Sequence, residues 1–558
     1  MKLFLSIFGE RMENIRMKKL PVFVIFLILA FISCVIVYGV YFTADPVLFT
    51  TGDSYGCDRF YLFFFGTIGI MTLLFAYLSS KPFLYRFLAI LIIFLPSITS
   101  LFVALKYGAS INSVFISNVL ATTWKESSAF LNYQVFAYIF LVCALIFVLS
   151  LLLNKLEVDL FPFADSKVKR IANAVFVVLF LFTFHVHFYP LRFYYTNLVD
   201  LYQTKKYILD FTTKMTRLEK RGEPSAVTSP LPGPSILFVH LGESVRTDHA
   251  PMNGYKRNTM PNMMEEFKKG NLYTFPTTLS FAATTQFSVI GFMTPTSISD
   301  NIVRSCSFMK IATDMGIQTT AFFSCSNFKN VTKHDMAIDI YTQNISNRIA
   351  VPGLAHTLLP QIKKEIDAAG AKNQLMFYQG EGSHIPYASY EKDRFSVYTP
   401  VNFTKNNDES TTNAYDNTIV CTDDFIGNIL SYLKNKNAVY IFASDHGENM
   451  GENGIWGRTG QNRMDNPSVR KVLFFIWVSD KFKKECPNKY AALIRNSKNL
   501  SAVSHENIYH TVLGFYNITN KIYKKELDLF TNDAKPFAGP MPENIPHGTF
   551  FDKVNFIE

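Results

Sequence analysis

Length, composition and charge narrow the classes of protein to which this chain can belong. Its 558 residues exceed one ordinary domain, and long apolar runs fill the first third, whereas the remainder has the mixed composition of a water-facing protein. The formal net charge is +10, but no dense Lys/Arg patch with interleaved aromatic residues is present, which argues against nucleic acid as a partner. We expect this positive charge to interact with the anionic headgroups of membrane lipids. The alternative is that the charge comes from lysines scattered over the surface that bind no particular partner.

Five segments of the first third are long and apolar enough to cross a bilayer, which takes about 20 largely apolar residues. The first is too long to be a cleaved signal peptide and should remain as an anchor. The sequence therefore predicts a five-helix transmembrane domain, with spans at roughly residues 20–41, 60–78, 83–105, 135–153 and 172–191.

The distribution of Lys and Arg predicts how these spans are oriented. The amino terminus and the second and fourth loops hold most of these residues, among them Lys18, Lys19, Lys81, Arg86 and Arg170. Cytoplasmic loops carry such an excess. We therefore expect a cytoplasmic amino terminus in a bacterial inner membrane and, after five crossings, a carboxyl-terminal part in the periplasm.

The loop between the third and fourth predicted spans has helical periodicity over residues 110–127. Asn118, Thr122 and Glu126 recur at every fourth position and so share one face of that helix, while apolar residues can face lipid. The polar row could bind a lipid headgroup, or it could be the solvated side of a plain interfacial helix.

A polar segment with several prolines separates the apolar third from the soluble part. It predicts a bridging helix and a Pro-rich linker over residues 193–233, between a transmembrane domain (1–192) and a periplasmic catalytic domain (234–558). In the last of these, strand-like runs alternate with helical patterns, which predicts an α/β fold with a mostly parallel sheet sandwiched by helices. The predicted strands lie near residues 235–241, 318–324, 373–379, 438–443 and 472–479.

Metal-ligating side chains follow two of these predicted strands. Glu243 comes directly after the first, and Asp445 and His446 follow the run at 438–443. The carboxyl ends of strands in α/β proteins are where ligands bind, so the three side chains could surround one ion. Two carboxylates and an imidazole suit zinc or manganese better than calcium, which prefers oxygen alone.

A hydroxyl-rich segment, TTLSFAATTQFS at residues 277–288, should begin a helix after a loop. The free N–H groups and dipole of a helix amino terminus stabilise a phosphate, so Thr284 or Thr285 there would be a candidate nucleophile. An ordinary Thr-rich helix cap is the alternative.

Taken together, these motifs resemble the bacterial phosphoethanolamine transferases of the alkaline phosphatase and sulfatase superfamily. The resemblance is carried by GESVRTDH, GYKRNTMPNM, TTQFS, EGSH and ASDHGE followed by GENG, and it covers nearly the full chain. It implies an alkaline phosphatase-like catalytic domain behind five membrane spans.

The resemblance also implies an activity and a set of site residues. Zinc would be held by Glu243, Asp445 and His446, with Thr285 completing the ligand set. Thr285 would take phosphoethanolamine from phosphatidylethanolamine, release diacylglycerol, and pass the group from a zinc-bound phosphothreonine to a hydroxyl of lipopolysaccharide or another envelope glycan.

Further residues match substrate-contacting positions of the family. His384 matches a histidine that contacts the phosphate or a second zinc, and Lys329 matches a phosphate-contacting lysine. With the resemblance in hand, Asn118, Thr122 and Glu126 are interpreted as headgroup-binding residues. His505 and His249 rank below this set, His505 as a structural residue and His249 as an outer contact of the site.

The sequence departs from the mobile colistin-resistance enzymes of the family. Phe281 and Gly291 stand where those enzymes flank the nucleophile with cysteines, and the stretch after Asp-His-Gly lacks their histidines, which makes a second zinc uncertain. The GQNRMDNP stretch is more similar to the branch that modifies the lipopolysaccharide core.

Three questions stay open at this level. A phosphoglycerol transferase on the same scaffold and a catalytically silent lipid-binding membrane protein are the alternative functions, whereas a sulfatase would need a C/S-x-P-x-R motif that is absent. The acceptor is open between lipid A, a core sugar, a periplasmic glucan and a protein. The cysteines of the soluble part could form two disulfides of undetermined pairing or stay as free thiols; they are Cys306, Cys325, Cys421 and Cys486.

Overall fold

The computed structural model divides into two compact units, Met1–Lys205 and Lys206–Glu558. In the first unit the structure describes residues 24–31, 68, 71–72, 74–91, 133–155, 167 and 171. In the second it describes residues 210–299, 302–325, 336–368, 370, 372–384, 387, 394–401, 409–452, 466–539, 541–542 and 555–556. The predicted domain limits at 192 and 233 stay predictions.

The described parts of the first unit are helical. Residues 24–31, 74–79 and 83–91 overlap the first three predicted spans, and α1 (Tyr133–Lys155) covers the fourth. Within the described residues, one helix is long and apolar enough to cross a membrane, at Phe136–Leu153. Its Phe140 is 74% exposed, as expected for a side chain that contacts lipid. The fifth span and the polar row of the 110–127 helix lie outside the described residues, so the count of five remains a prediction.

A buried arginine forms hydrogen bonds to two of these helices. Arg86 is 3% exposed, and its Nε donates to the Ser150 carbonyl of α1 at 3.1 Å. Its Nη1 donates to the carbonyls of Ser79, the last residue of the helix at 74–79, and of Lys81, which follows that helix. A guanidinium suits this position because the last carbonyls of a helix have no partner within the helix.

The structure describes thirteen strands in the second unit. They are β1 (Ala226–Val227), β2 (Ser235–Gly242), β3 (Leu272–Thr274), β4 (Thr278–Leu279), β5 (Ile302–Val303), β6 (Gln318–Cys325), β7 (Asn347–Pro352), β8 (Gln374–Gly380), β9 (Asn437–Ser444), β10 (Phe474–Val478), β11 (Val503–Ser504), β12 (Ile518–Thr519) and β13 (Asn555–Phe556).

Seven of these strands form the central sheet, in the order β3-β10-β9-β2-β8-β6-β7. Strand β10 is antiparallel to both of its neighbours, and all other pairs in the sheet are parallel. Every residue of β2 and β9 is buried, which is why both sequences are continuous apolar runs. The predicted mostly parallel sheet is therefore present.

Helices cover both faces of the sheet. Besides a helix at residues 210–221, the described α-helices of this unit are α2 (Pro261–Lys268), α3 (Thr285–Met293), α4 (Phe308–Asp314), α5 (Met336–Thr342), α6 (Leu359–Asp367), α7 (Glu409–Leu433), α8 (Pro467–Arg470), α9 (Asp480–Glu485), α10 (Pro487–Asn499) and α11 (Glu506–Phe515). Helices α3, α4, α5 and α11 contribute to one apolar cluster, and α2, α6 and α7 to a second. The sheet lies between the two cores.

The segment predicted as a bridging helix is helical at residues 210–221 and belongs to the second unit. Phe211, Met215 and Leu218 recur at helical spacing and are buried in the same core as α3. Strand β1, within the predicted linker, pairs with β12. Residues 210–221 and β1 thus pack with the second unit, and the predicted start of the catalytic domain at residue 234 stays a prediction.

Three cysteines of this unit, Cys306, Cys421 and Cys486, are buried and take part in no disulfide. The side chain of Cys325 lies outside the described residues. Of the two alternatives that the sequence leaves open, the one without disulfides holds for these three residues.

Candidate metal centre

Two neighbouring parallel strands bring the predicted ligands together. Strands β2 and β9 are in register up to the pair Gly242 and Ser444, so Glu243 and Asp445 follow directly at the same edge of the sheet. The backbone N–H of Asp445 donates to the Gly242 carbonyl at 2.9 Å, which extends the pairing into the site. The sheet therefore fixes the separation of the two carboxylates before any ligand binds.

Glu243, Asp445 and His446 converge on one point. One ligand atom from each lies within 4.8 Å of the others, and within the described ranges no second group of three His, Cys, Asp or Glu residues meets this condition. His446 Nε2 lies 3.1 Å from Asp445 Oδ2 and 3.6 Å from Glu243 Oε1. All three residues are buried, at 6% exposure or less.

A hydrogen bond selects the tautomer of His446. Its Nδ1 lies 2.8 Å from the Gly447 carbonyl oxygen, which can only accept, so Nδ1 carries the proton. Nε2 is then the ring nitrogen that faces the two carboxylates. Metal-ligating histidines are commonly oriented by such a bond on their other ring nitrogen.

Thr285 completes the cluster. It is the first residue of α3, after Thr284 in extended conformation at the N-cap position. Its Oγ1 lies 3.2 Å from Glu243 Oε2 and 3.2 Å from His446 Nε2. The hydroxyl thus lies at the positive end of a helix and next to two of the metal-ligating side chains, where a phosphate group would be stabilised.

Two side chains hold the start of α3 against the end of β9. The Ser288 hydroxyl, one turn after Thr285, donates to the Asp445 carbonyl oxygen. His505 Nε2 lies 2.9 Å from the Ser444 carbonyl, and its Nδ1 accepts from the Phe281 N–H at 3.2 Å. Burial lowers the pKa of His505 to about 4, so the ring is neutral and bridges the two segments without charge.

The donor set fits a zinc ion. Two carboxylates, one imidazole and a threonine oxygen supply four oxygen and nitrogen ligands, the number that zinc takes in tetrahedral sites. Calcium would require six to eight oxygen ligands and does not favour imidazole. Glu243, Asp445 and His446 would hold such an ion in this arrangement.

Of the residues predicted to contact the substrate, the structure describes only His384. The EGSH segment packs on the first ligand: the Ser383 N–H donates to the Glu243 carbonyl at 2.9 Å. His384 follows, half-buried, with its N–H bonded to the Glu381 carbonyl at 2.9 Å, and it is not part of the three-residue group. Lys329, Asn118, Thr122 and Glu126 lie outside the described residues, so their predicted roles stay predictions.

The sequence did not identify the side chains that hold the loop after Glu243. Tyr415 of α7 is fully buried and donates from its hydroxyl to the Ser244 carbonyl at 2.6 Å. Asp416, next to it, accepts from His249 Nδ1 at 2.8 Å and from the Tyr255 hydroxyl at 2.9 Å. The sequence around Tyr415 and Asp416 is itself polar, so no local pattern distinguished these two residues. His249 therefore contacts Asp416 and supports this loop from outside the cluster.

Arg246 holds the same loop from the other side. Burial alone would lower its pKa, but the carboxylates of Asp248 and Glu452 raise the pKa above its usual value. Its Nη2 lies 2.7 Å from Asp248 Oδ2, and its Nη1 pairs with Glu452 and donates to the Glu448 carbonyl at 3.2 Å. The guanidinium thus connects the loop after β2 to the segment after β9.

Comparison with known proteins agrees with this fold. The family model described as Sulfatase matches residues 234–518, more than half of the chain. The chain belongs to the sulfatase family. A second family model, described as Phosphoethanolamine transferase EptA/EptB, matches residues 67–208. Among the members of the sulfatase family, this chain is an enzyme of the phosphoethanolamine transferase group.

Individual relatives of this transferase have low sequence identity to it but match over long stretches of the chain. It is 24% identical to phosphatidylethanolamine transferase Mcr-1 of Escherichia coli over 445 residues, which is 73% of this chain and 81% of the relative. It is 23% identical to the Kdo(2)-lipid A phosphoethanolamine 7''-transferase of E. coli (strain K12) over 303 residues, 51% and 52% of the two chains. These similar identities favour neither branch, so closeness to the core-modifying branch stays a prediction.

A solved structure is similar to this chain over most of its length. The integral membrane protein lipooligosaccharide phosphoethanolamine transferase A (EptA) from Neisseria meningitidis superposes with a TM-score of 0.60. The match covers 90% of this chain and 99% of that one at 19% sequence identity. The transferase described here therefore has the fold of a membrane-anchored enzyme with an alkaline phosphatase-like domain.

Proposed function

We propose that this enzyme transfers phosphoethanolamine from phosphatidylethanolamine to an envelope acceptor through a covalent phosphothreonine at Thr285. The observation that carries the proposal is the position of Thr285 Oγ1, 3.2 Å from both Glu243 Oε2 and His446 Nε2 at the amino terminus of α3. Relatives named as phosphoethanolamine transferases support the group that is transferred.

In the first half-reaction, Thr285 Oγ1 attacks the phosphorus of phosphatidylethanolamine. The bond from phosphorus to the diacylglycerol oxygen breaks, and the hydroxyl proton of Thr285 ends on that oxygen, so diacylglycerol leaves as an alcohol. The positive end of α3 stabilises the negative charge on the non-bridging phosphate oxygens. Phosphoethanolamine remains on Thr285 as a phosphodiester.

In the second half-reaction, an acceptor hydroxyl attacks the same phosphorus. The bond to Thr285 Oγ1 breaks, the acceptor proton returns to that oxygen, and the threonine is regenerated. A zinc ion held by Glu243, Asp445 and His446 would supply Lewis acidity that lowers the pKa of the attacking hydroxyl. The hydrogen bond from His446 Nδ1 to the Gly447 carbonyl keeps the ring oriented in both halves.

The location and partners follow from the same proposal. The amino terminus is cytoplasmic and the catalytic unit faces the periplasm, where lipopolysaccharide or another envelope glycan supplies the acceptor hydroxyl. The proposed donor site includes His384 and Lys329 near the phosphate and the row Asn118, Thr122 and Glu126 near the ammonium group.

Release of diacylglycerol from labelled vesicles tests the proposal. The full-length protein should release diacylglycerol from phosphatidylethanolamine and not from phosphatidylglycerol. Thr285→Ala should lower this rate by at least about a thousandfold, because loss of a covalent nucleophile removes the reaction path itself.

Thr284→Ala is the matched control for this test. Thr284 is the neighbouring hydroxyl, and its side chain makes no capping hydrogen bond to α3. The control should keep most of the activity and the same fold. Release from phosphatidylglycerol instead would identify a phosphoglycerol transferase, and release from neither lipid would favour the silent lipid-binding alternative.

A further inference from the structure

Ser244, the residue after the first ligand, has an unusual backbone conformation. Its φ is 59°, in the left-handed region, and the other non-glycine residue with positive φ within the described ranges is Asn517. Asparagine is often found in this region, whereas serine is not. Strained backbone of this kind is retained where the surrounding structure holds it, often at functional sites.

Two hydrogen bonds connect Ser244 to both carboxylate ligands. Its hydroxyl donates to Glu243 Oε1 at 2.7 Å, and its backbone N–H donates to Asp445 Oδ1 at 3.0 Å. Ser244 is fully buried, so water does not compete for either bond. One residue therefore orients carboxylates that come from two different strands.

The neighbouring chain holds Ser244 in this conformation. The Tyr415 hydroxyl donates to the Ser244 carbonyl at 2.6 Å and accepts from the Arg246 N–H at 2.9 Å. The Val245 N–H donates to the Ser444 hydroxyl at 2.6 Å. The left-handed turn is thus fixed by polar contacts on both sides of Ser244.

These bonds engage one oxygen of each carboxylate and leave the other directed toward the cluster, and the bonded Glu243 Oε1 itself lies 3.6 Å from His446 Nε2. Glu243 Oε2 lies 3.2 Å from Thr285 Oγ1, and Asp445 Oδ2 lies 3.1 Å from His446 Nε2. Rotation of either carboxylate would break its bond to Ser244. The oxygens that face Thr285 and His446 are therefore oriented before an ion binds.

We propose that Ser244 is a positioning residue that orients the Glu243 and Asp445 carboxylates toward a shared metal ion. The inference rests on the proposed function, because it assigns the cluster to a metal. It adds that the hydroxyl of Ser244, and not only its backbone conformation, contributes to metal affinity.

Two substitutions separate the hydroxyl from the backbone conformation. Ser244→Ala removes the hydroxyl and keeps a Cβ in the left-handed region, whereas Ser244→Gly removes the hydroxyl and also the steric cost of that region. Both should weaken zinc binding by about 10- to 100-fold, the usual effect of losing a partner that orients a metal ligand. The metal-free Gly variant should melt no lower than the metal-free Ala variant.

The measurement is the zinc dissociation constant of the full-length protein in detergent, obtained by competition with a chelator. The matched control is Ser235→Ala, at the other end of β2, where a buried serine hydroxyl contacts the Gly233 carbonyl and Asn437. This control should keep the wild-type zinc affinity.

Glu243→Gln distinguishes failure of this inference from failure of the proposed function. If Glu243→Gln weakens zinc binding and the two Ser244 variants do not, the positioning role is wrong and the metal centre stands. If Ser244→Gly keeps the wild-type zinc affinity and Ser244→Ala does not, the backbone conformation of residue 244 is what matters, and the role of the hydroxyl is overturned. Equal loss in Ser235→Ala would also overturn it. If Glu243→Gln leaves zinc binding unchanged, the metal centre and the positioning role both fail.

Discussion

Gly382 shows how closely single residues constrain the site. It has φ of 45°, and a Cβ at this position would lie 2.9 Å from Glu243 Cβ and 3.0 Å from the Glu243 carbonyl oxygen. The backbone of the EGSH segment therefore lies against the backbone of the first ligand. A larger residue would displace Glu243, because one of the two contacts is with backbone that cannot rotate away.

We predict that Gly382→Ala lowers stability and zinc affinity together. The close contact should cost roughly 1–3 kcal/mol, and the left-handed backbone adds about 1–2 kcal/mol. Denaturant unfolding and chelator competition on the full-length protein measure the two effects.

Gly270→Ala is the control for the backbone contribution. Gly270 has φ of 71°, but a Cβ there would meet no atom within 4 Å. This variant should lose about 1–2 kcal/mol for the backbone conformation alone and keep wild-type zinc affinity. Equal zinc affinity in the two variants would mean that the Gly382 contact does not position Glu243.

At the scale of elements, a buried carboxylate anchors the helix at residues 210–221. Glu219 is 1% exposed and accepts from the Ser307 hydroxyl at 2.7 Å and from the Ser307 N–H at 2.9 Å. Burial raises the pKa of Glu219 to about 7, although the bonds from Ser307 oppose this shift. The helix is therefore attached to the amino terminus of α4 through a group that titrates near neutral pH.

This attachment predicts a specific pH dependence of stability. The folded pKa of Glu219 lies above the ordinary value of 4.5, so the folded state binds the proton more tightly than the unfolded state. The resulting stabilisation is complete below pH 4.5 and is lost as the pH rises through about 7. Glu219→Gln, which stays neutral, should become more stable than the wild type by up to about 3 kcal/mol between pH 5 and pH 8.

Thermal unfolding of the detergent-solubilised protein across this pH range checks the prediction. Glu265→Gln, which changes a carboxylate with a 66% exposed side chain, is the control and should follow the wild-type profile. Parallel profiles for the wild type and Glu219→Gln would show that Glu219 does not titrate between the two pH values.

The strands of the central sheet differ in how well their sequences predicted them. The apolar runs within β2, β6, β8 and β9 predicted these strands, because a strand buried on both faces is largely apolar. The short edge strand β3 and strand β7 were missed, since Leu272–Thr274 has only three residues and Asn347–Pro352 begins with polar side chains. The antiparallel direction of β10 could not be predicted, because its apolar run is the same in either direction.

The same limit applies to the site. The positions of Glu243, Asp445 and His446 after strands, and of Thr285 at the start of α3, could be predicted because strand and helix ends are local signals. The contacts of Ser244, Tyr415 and His505 depend on pairs more than sixty residues apart in the chain, and no local pattern marks them.

At the scale of the whole molecule, a membrane-embedded unit and a catalytic unit occur in one chain. This suits a reaction whose donor is a bilayer lipid, and whose product diacylglycerol stays in the bilayer. We predict that cells lacking the protein lose phosphoethanolamine from an envelope glycan. Mass spectrometry of lipopolysaccharide from these cells, with the wild type or Thr285→Ala restored, would identify the acceptor. Identical spectra with both proteins would exclude lipopolysaccharide and direct the search to other envelope glycans.

The most direct test of the central claim is to locate the transferred group on the protein. The full-length enzyme is incubated with phosphatidylethanolamine without an acceptor, quenched in acid and digested, and the peptide that contains residues 277–288 is sequenced by tandem mass spectrometry. We expect phosphoethanolamine on Thr285, and its loss from Thr285→Ala but not from Thr284→Ala. Phosphoethanolamine on another residue, or persistence in Thr285→Ala, would contradict the claim.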